Sequence, residues 1–163
     1  MNALLVMNVE LLDQAIMLVR DQSGDHYTRS CGAVFSSSIG QHIRHCVEHY
    51  EEFLLALEEG RDLDYEKRPR DLKLETDTHE AIRRLGEIRQ ALARFDDQDR
   101  EIGVWDTGAV FPAPSSASRE MQYLMSHTVH HFALIAVIAS LGGIRVPKDF
   151  GVAPSTLKYR ESA

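Results

Sequence analysis

At 163 residues with 44% apolar side chains, the chain has the length of one domain and the composition of a globular protein, not of a disordered segment. Its formal charge of -7 argues against a nucleic-acid binder and against an electrostatic membrane anchor, because both need a basic face to meet phosphates. Two cysteines, Cys31 and Cys46, are too few for a disulfide framework and set a reducing cytoplasm as the expected location.

The apolar start Leu4-Leu5-Val6 has no basic stretch before it and is soon interrupted by Glu10 and Asp13, unlike a signal peptide. No run of about 18 apolar residues is present to span a membrane. Four segments carry helical periodicity. The first spans residues 2–20, with Leu5, Val9, Leu12, Ile16 and Val19 in one stripe. The second spans residues 39–59, opened by a Ser38–Gln41 capping box and stopped at Gly60. The third spans residues 78–95 behind Asp77 and Glu80, with Ile82, Leu85, Ile88, Leu92 and Phe95 on its apolar side. The fourth spans residues 118–141 and ends at Gly142-Gly143. The connections at 60–77 and 96–117 are long, and loops of that length inside a domain are often functional. A short extended piece is expected within residues 102–111, around Trp105, and an irregular tail from Ile144 onward, where Pro147 and Pro154 fall. Four amphipathic helices without a convincing sheet predict an all-α four-helix bundle occupying residues 1–163 as a single domain.

The chain has eight histidines, and six of them fall in two short windows: His42, His45 and His49 on the second helix, His127, His130 and His131 on the fourth. His127 and His131 are four residues apart, so a helix sets their side chains on one face with Cβ atoms about 5–6 Å apart. Leu124, Leu134, Ile135 and Ile138 extend that face, so the two imidazoles point toward the interior, where an unpaired polar group is costly and a metal would satisfy both. A buried histidine bonded to a backbone carbonyl is the common alternative at this spacing. The second cluster weighs against it, since bundle sites draw ligands from facing helices. On the second helix, spacing alone does not choose. A wheel centred on Ile39, Cys46, Phe53 and Leu57 puts His42 and His49 nearer the core than His45, and leans to His49.

Ser38-Ile39-Gly40-Gln41-His42-Ile43-Arg44-His45 resembles the second-helix signature of the DinB/YfiT-like proteins, which ends in a metal-ligand histidine. Met125-Ser126-His127-Thr128-Val129-His130-His131 resembles their fourth-helix motif, a histidine pair with three residues between. The resemblance runs along the whole helical chain and is specific at these two motifs. It implies an up-down-down-up bundle, often paired as a dimer, with a divalent transition metal held by His45, His127 and His131. His130 matches a position often occupied by histidine in such proteins without being a ligand there.

Three imidazoles leave coordination positions open, the pattern of catalytic rather than structural zinc. They suit zinc first, with nickel or iron as alternatives. The resemblance thus implies a metal-dependent hydrolase, or a transferase that uses a low-molecular-weight thiol, acting on a small-molecule substrate. The competing expectation is a non-catalytic metal-binding or ligand-sensing bundle. No general base stands out. Glu48 and Glu120 are candidates to orient a ligand or accept a proton, Arg44 to meet an anionic substrate and Cys46 to act as a nucleophile, but the glutamates read first as solvated helix-surface residues, Arg44 as an exposed helix residue and Cys46, on the apolar stripe, as an inert buried thiol. Trp105 and Asp106 are placed to line a pocket, although Trp105 reads first as a packed side chain. The apolar stripe of the first helix leaves room for a homodimer.

Overall fold

The computed structural model describes residues 3–30, 32, 36–96 and 99–162; Asn2 and Cys31 of the sequence reading lie outside them. Among these residues the chain forms α1 (Ala3–Arg20), α2 (Gly24–Thr28), α3 (Ile39–Glu59), α4 (Leu72–Thr76), α5 (Thr78–Ala93), the hairpin strands β1 (Glu101–Val104) and β2 (Ala113–Ser116), α6 (Ala117–Leu141) and α7 (Pro154–Ser162). The expected helical bundle is present, with a two-stranded hairpin added.

Local chemistry sets the helix ends. Ser38 Oγ accepts from the Gln41 backbone at 3.2 Å while Gln41 Oε1 accepts from the Ser38 backbone at 3.0 Å, a complete capping box. Gly60 closes α3 in the left-handed conformation, φ 64°, where a side chain would be strained. Asp77 caps α5 by accepting from the His79 and Glu80 backbones. Ser116, at the end of β2, caps α6, so strand and helix meet without a linker.

α1, α3, α5 and α6 form the bundle, and each of α1 and α3 packs against both α5 and α6. Cross-helix contacts give the directions. Arg44 pairs with Glu75, Glu51 with Arg84, and the Phe53 ring meets Phe95, so α3 and α5 run the same way. His42 meets His131 and Tyr50 meets Thr128, so α3 and α6 run oppositely. Asn8, early in α1, bonds the Met121 carbonyl early in α6, and the Tyr27 hydroxyl, beyond the end of α1, reaches Leu74 just before α5. The order is therefore up-down-down-up, as the resemblance implies. It places the ends of α1 and the start of α3 at one end of the bundle, where Gly40 lies so close to α4 that a Cβ would overlap the Glu75 carbonyl.

The core is continuous through Leu12, Val19, Ile43, Tyr50, Phe53, Leu85, Leu92, Phe132 and Ile135, all at most 1% exposed. One polar network crosses it. Tyr50 donates to Asn8 Oδ1 at 2.7 Å, Thr128 donates to the Tyr50 hydroxyl, and Asn8 Nδ2 donates to the Leu4 and Met121 carbonyls. Every member is buried and partnered, so the network fixes α1, α3 and α6 against sliding.

Two expectations need correction. No sheet is expected, yet Glu101–Val104 pairs antiparallel with Ala113–Ser116, and Leu63 adds a parallel bridge at Val104. Trp105, where an extended piece is expected, lies just after β1 and donates its backbone N–H to the Leu63 carbonyl at 2.8 Å. The tail is not wholly irregular: Phe150 stacks on Phe132 at 4.6 Å, and α7 follows. α6 is also, by length and composition, apolar enough to cross a membrane, though here its buried face packs on α1 and α3.

Candidate metal centre

α3 and α6 bring their histidines face to face. His45 Nε2 lies 3.1 Å from His127 Nε2, and His131 Nε2 lies 3.2 Å from the same atom. The ligand atoms of His45, His127 and His131 all fall within 4.8 Å of one another, and among the described residues this is the one such group. His42 and His49 are deeper, at 8% and 4% exposure, so the wheel reads their burial correctly, but both stand outside the trio. His42 Nδ1 bonds His131 Nδ1 at 2.9 Å, and His49 Nδ1 donates to the His45 carbonyl at 2.7 Å. His130 is exposed and touches the group only through the edge of His131.

The spacing fits a metal. Two imidazole nitrogens bound at 2.0–2.1 Å with a tetrahedral angle between them stand about 3.3 Å apart, close to both observed separations. Proton placement points the same way. Arg68 Nη1 meets His45 Nδ1 at 2.8 Å, and a guanidinium only donates, so the His45 proton sits on Nε2 and is given to His127 Nε2. His127 must then carry its own proton on Nδ1, which is buried without a partner. Its single Nε2 lone pair also faces His131 Nε2. Three nitrogens converge with too few protons and lone pairs to satisfy one another, and a cation accepting all three resolves the conflict.

Electrostatics keep the imidazoles neutral, the form that ligates. Burial, then the neighbouring histidines and Arg68, pulls His45 far below the ordinary imidazole range. Burial first and the adjacent His127 next bring His49 and His131 to about 3, and burial with His130 and Arg68 brings His127 to about 4. His42 is lowered by burial and by His130.

The long connection after α3 covers this centre, and two glutamates anchor it. Glu52 takes Arg61 through both oxygens, at 2.7 and 3.0 Å, and the Asp64 backbone at 3.2 Å. Glu48 accepts from the Asp71 backbone at 2.6 Å and lies 3.8 Å from Arg68. The connection is thereby held so that Tyr65 stacks on His49 at 5.0 Å and Arg68 reaches His45. Glu48 is 1% exposed and Glu120 5%, which corrects the reading of both as solvated surface residues. Their partners come from loops distant in sequence: Asp71 and Arg68 for Glu48, Tyr65 and Ser115 for Glu120. Arg44 is only partly exposed and bonds Glu75 at 2.7 Å. Cys46 is a buried free thiol pushed up to about 12 by burial, so it is inert as expected.

A cavity of about 410 Å³ opens beside the centre, with His49, Tyr65, Trp105, Glu120 and Tyr123 among its walls. His49 is in ring contact with both His45 and His127 at 4.2 Å, and Tyr123 stacks on His127 at 5.4 Å. Trp105 and Asp106 line this cavity, and Trp105 is half-buried. Sequence reasoning passes over Tyr65, Arg68 and Tyr123. The only signal for them is the length of the connection that carries the first two.

The crystal structure of a DinB-like protein, YjoA, from Bacillus subtilis superposes on 93% of this chain and on all of its own, with a TM-score of 0.65 at 18% identity, a likeness of fold. A protein of Rhizopus delemar named FK506-binding protein 5 is 33% identical in an alignment 109 residues long that covers 60% of this chain and 27% of that protein, so the chain spans about a quarter of this relative's length. The family model of the DinB superfamily matches residues 8–135, a stretch that includes α3, the hairpin and all three converging histidines. The chain belongs to the DinB superfamily.

Proposed function

We propose that this chain is a metal-dependent enzyme that holds a divalent transition metal, zinc first among the candidates, through His45, His127 and His131, and acts on a small molecule as a hydrolase or a thiol-dependent transferase. The observation that carries this reading is the convergence of three Nε2 atoms at metal-ligand spacing beside an open cavity. Such an ion supplies a Lewis acid with positions left for water, thiolate or substrate.

The protein side follows from the chain's own groups. Coordination through Nε2 leaves the His45 proton on Nδ1, and Arg68 has no acceptor to offer it. With Nε2 given to a metal, Arg68 would turn from His45 to Glu48, which lies 3.8 Å away and whose Oε2 lacks a hydrogen-bond partner. His42 holds the far nitrogen of His131 and so fixes its ring orientation, the usual task of a residue behind a ligand. His49 and Tyr123 link the centre to the cavity, each in ring contact with His127 and each lining the cavity wall.

The test is a screen of the protein loaded with zinc, nickel or iron against ester, amide and thiol-transfer substrates. The expected result is turnover with at least one substrate class, lost on chelation and restored by the metal. Stoichiometric metal with no turnover of any class would favour the sensing alternative.

A further inference from the structure

The cavity beside the histidines combines two features that select one kind of ligand. Its walls are aromatic: Tyr65 and Tyr123 pack against each other at 5.1 Å between ring centroids with their planes tilted by 39°, and Trp105 lines the same cavity. Its charge is negative, with Glu66, Asp106 and Glu120 against the single guanidinium of Arg119. Glu66 has Arg70 within 3.9 Å, but among the described residues neither Glu120 nor Asp106 has a cationic partner.

Glu120 is the informative one. It is 95% buried, and its two oxygens accept from the Tyr65 hydroxyl at 3.1 Å and the Ser115 hydroxyl at 2.6 Å. Hydroxyl donors lower the cost of burying a carboxylate but bring no countercharge, and buried charges are normally paired with one. Aromatic faces next to such a carboxylate attract a desolvated organic cation through their quadrupoles as well.

We infer that this cavity binds a small molecule bearing a substituted ammonium group, with the cation held among Tyr65, Tyr123 and Trp105 and countered by Glu120 and Asp106. The inference rests on the proposed enzyme only in treating this cavity as its substrate side. It deepens that reading by giving the substrate a positive charge, countered on the cavity wall by Glu120 and Asp106.

The experiment uses the full chain stripped of metal by a chelator, with choline as the probe and its neutral isostere 3,3-dimethylbutan-1-ol as the comparison. Trp105 is the sole tryptophan, so its fluorescence reports occupancy, and calorimetry gives the affinity independently. Choline is expected to bind saturably and about tenfold or more tighter than the alcohol. E120Q is expected to remove about tenfold of choline affinity while leaving the alcohol unchanged. D106N, on an exposed residue outside the Tyr65–Glu120–Ser115 network, is expected to show a smaller loss and covers the case of an unstable E120Q chain. Equal binding of both probes, no binding of either, or E120Q and D106N both indifferent to choline would overturn the inference. Because no metal is present, these outcomes are separate from any failure of the histidine site to hold an ion.

Discussion

His131→Ala is expected to take bound metal from about one ion per chain to near zero after desalting, with helical content unchanged. The reason is geometric. His131 contributes one of three converging nitrogens, and the two imidazoles left on different helices, His45 and His127, do not make a comparable site. His42→Ala serves as the contrast. His42 touches only the far nitrogen of His131, so its loss is expected to weaken metal binding by roughly 10–100-fold without abolishing it. Elemental analysis of the two variants beside the parent chain separates these outcomes. Full metal retention in His131→Ala would remove the site.

The second large effect is acid sensitivity of the metal-free fold. Burial holds His127 at about 4 and His49 and His131 at about 3, with His45 lower still, whereas the unfolded chain titrates them near 6.5. Folded-state values below unfolded ones mean that the unfolded state binds more protons between these limits. Their contribution to stability is therefore complete above about pH 6.5 and is lost as pH falls toward the folded values. Each proton of difference is worth about 1.4 kcal/mol per pH unit, which for a chain of this size lowers Tm by roughly 3–6 °C per unit. Several histidines titrate together here, so the chelated protein is expected to lose more than one proton's worth per unit between pH 6.5 and 5. His131→Ala is expected to flatten the slope. A melting temperature constant from pH 7 to 5 would contradict the burial of these rings.

The bundle was legible because its helices carry local punctuation. Ser38, Gln41 and Gly60 bound α3 at the residues where it begins and ends, and the α5 stripe errs only at its frayed end, Arg94 and Phe95. Of the hairpin only an extended piece within residues 102–111 was legible, since four-residue strands containing Gly103 and Pro114 lack alternation and depend on Leu63 and the α6 cap for their place. α7 has no amphipathic stripe; the stacking of Phe150 on Phe132 is a tertiary event that periodicity does not register. At the site, the wheel ranked depth and so favoured His49, while the motif selected His45. In the structure His49 spends its Nδ1 on the His45 carbonyl, and the shallower His45 is the residue whose Nε2 meets His127 on the fourth long helix. Glu48 and Glu120 were misread for a related reason, because the loops that bury them are silent in helical spacing.

X-ray absorption at the metal edge of the loaded protein tests the central claim most directly. The account predicts three imidazole nitrogens at about 2.0–2.1 Å, with the remaining positions filled by exchangeable oxygen donors. A first shell with fewer than three imidazoles, or one unchanged in His131→Ala, would contradict it.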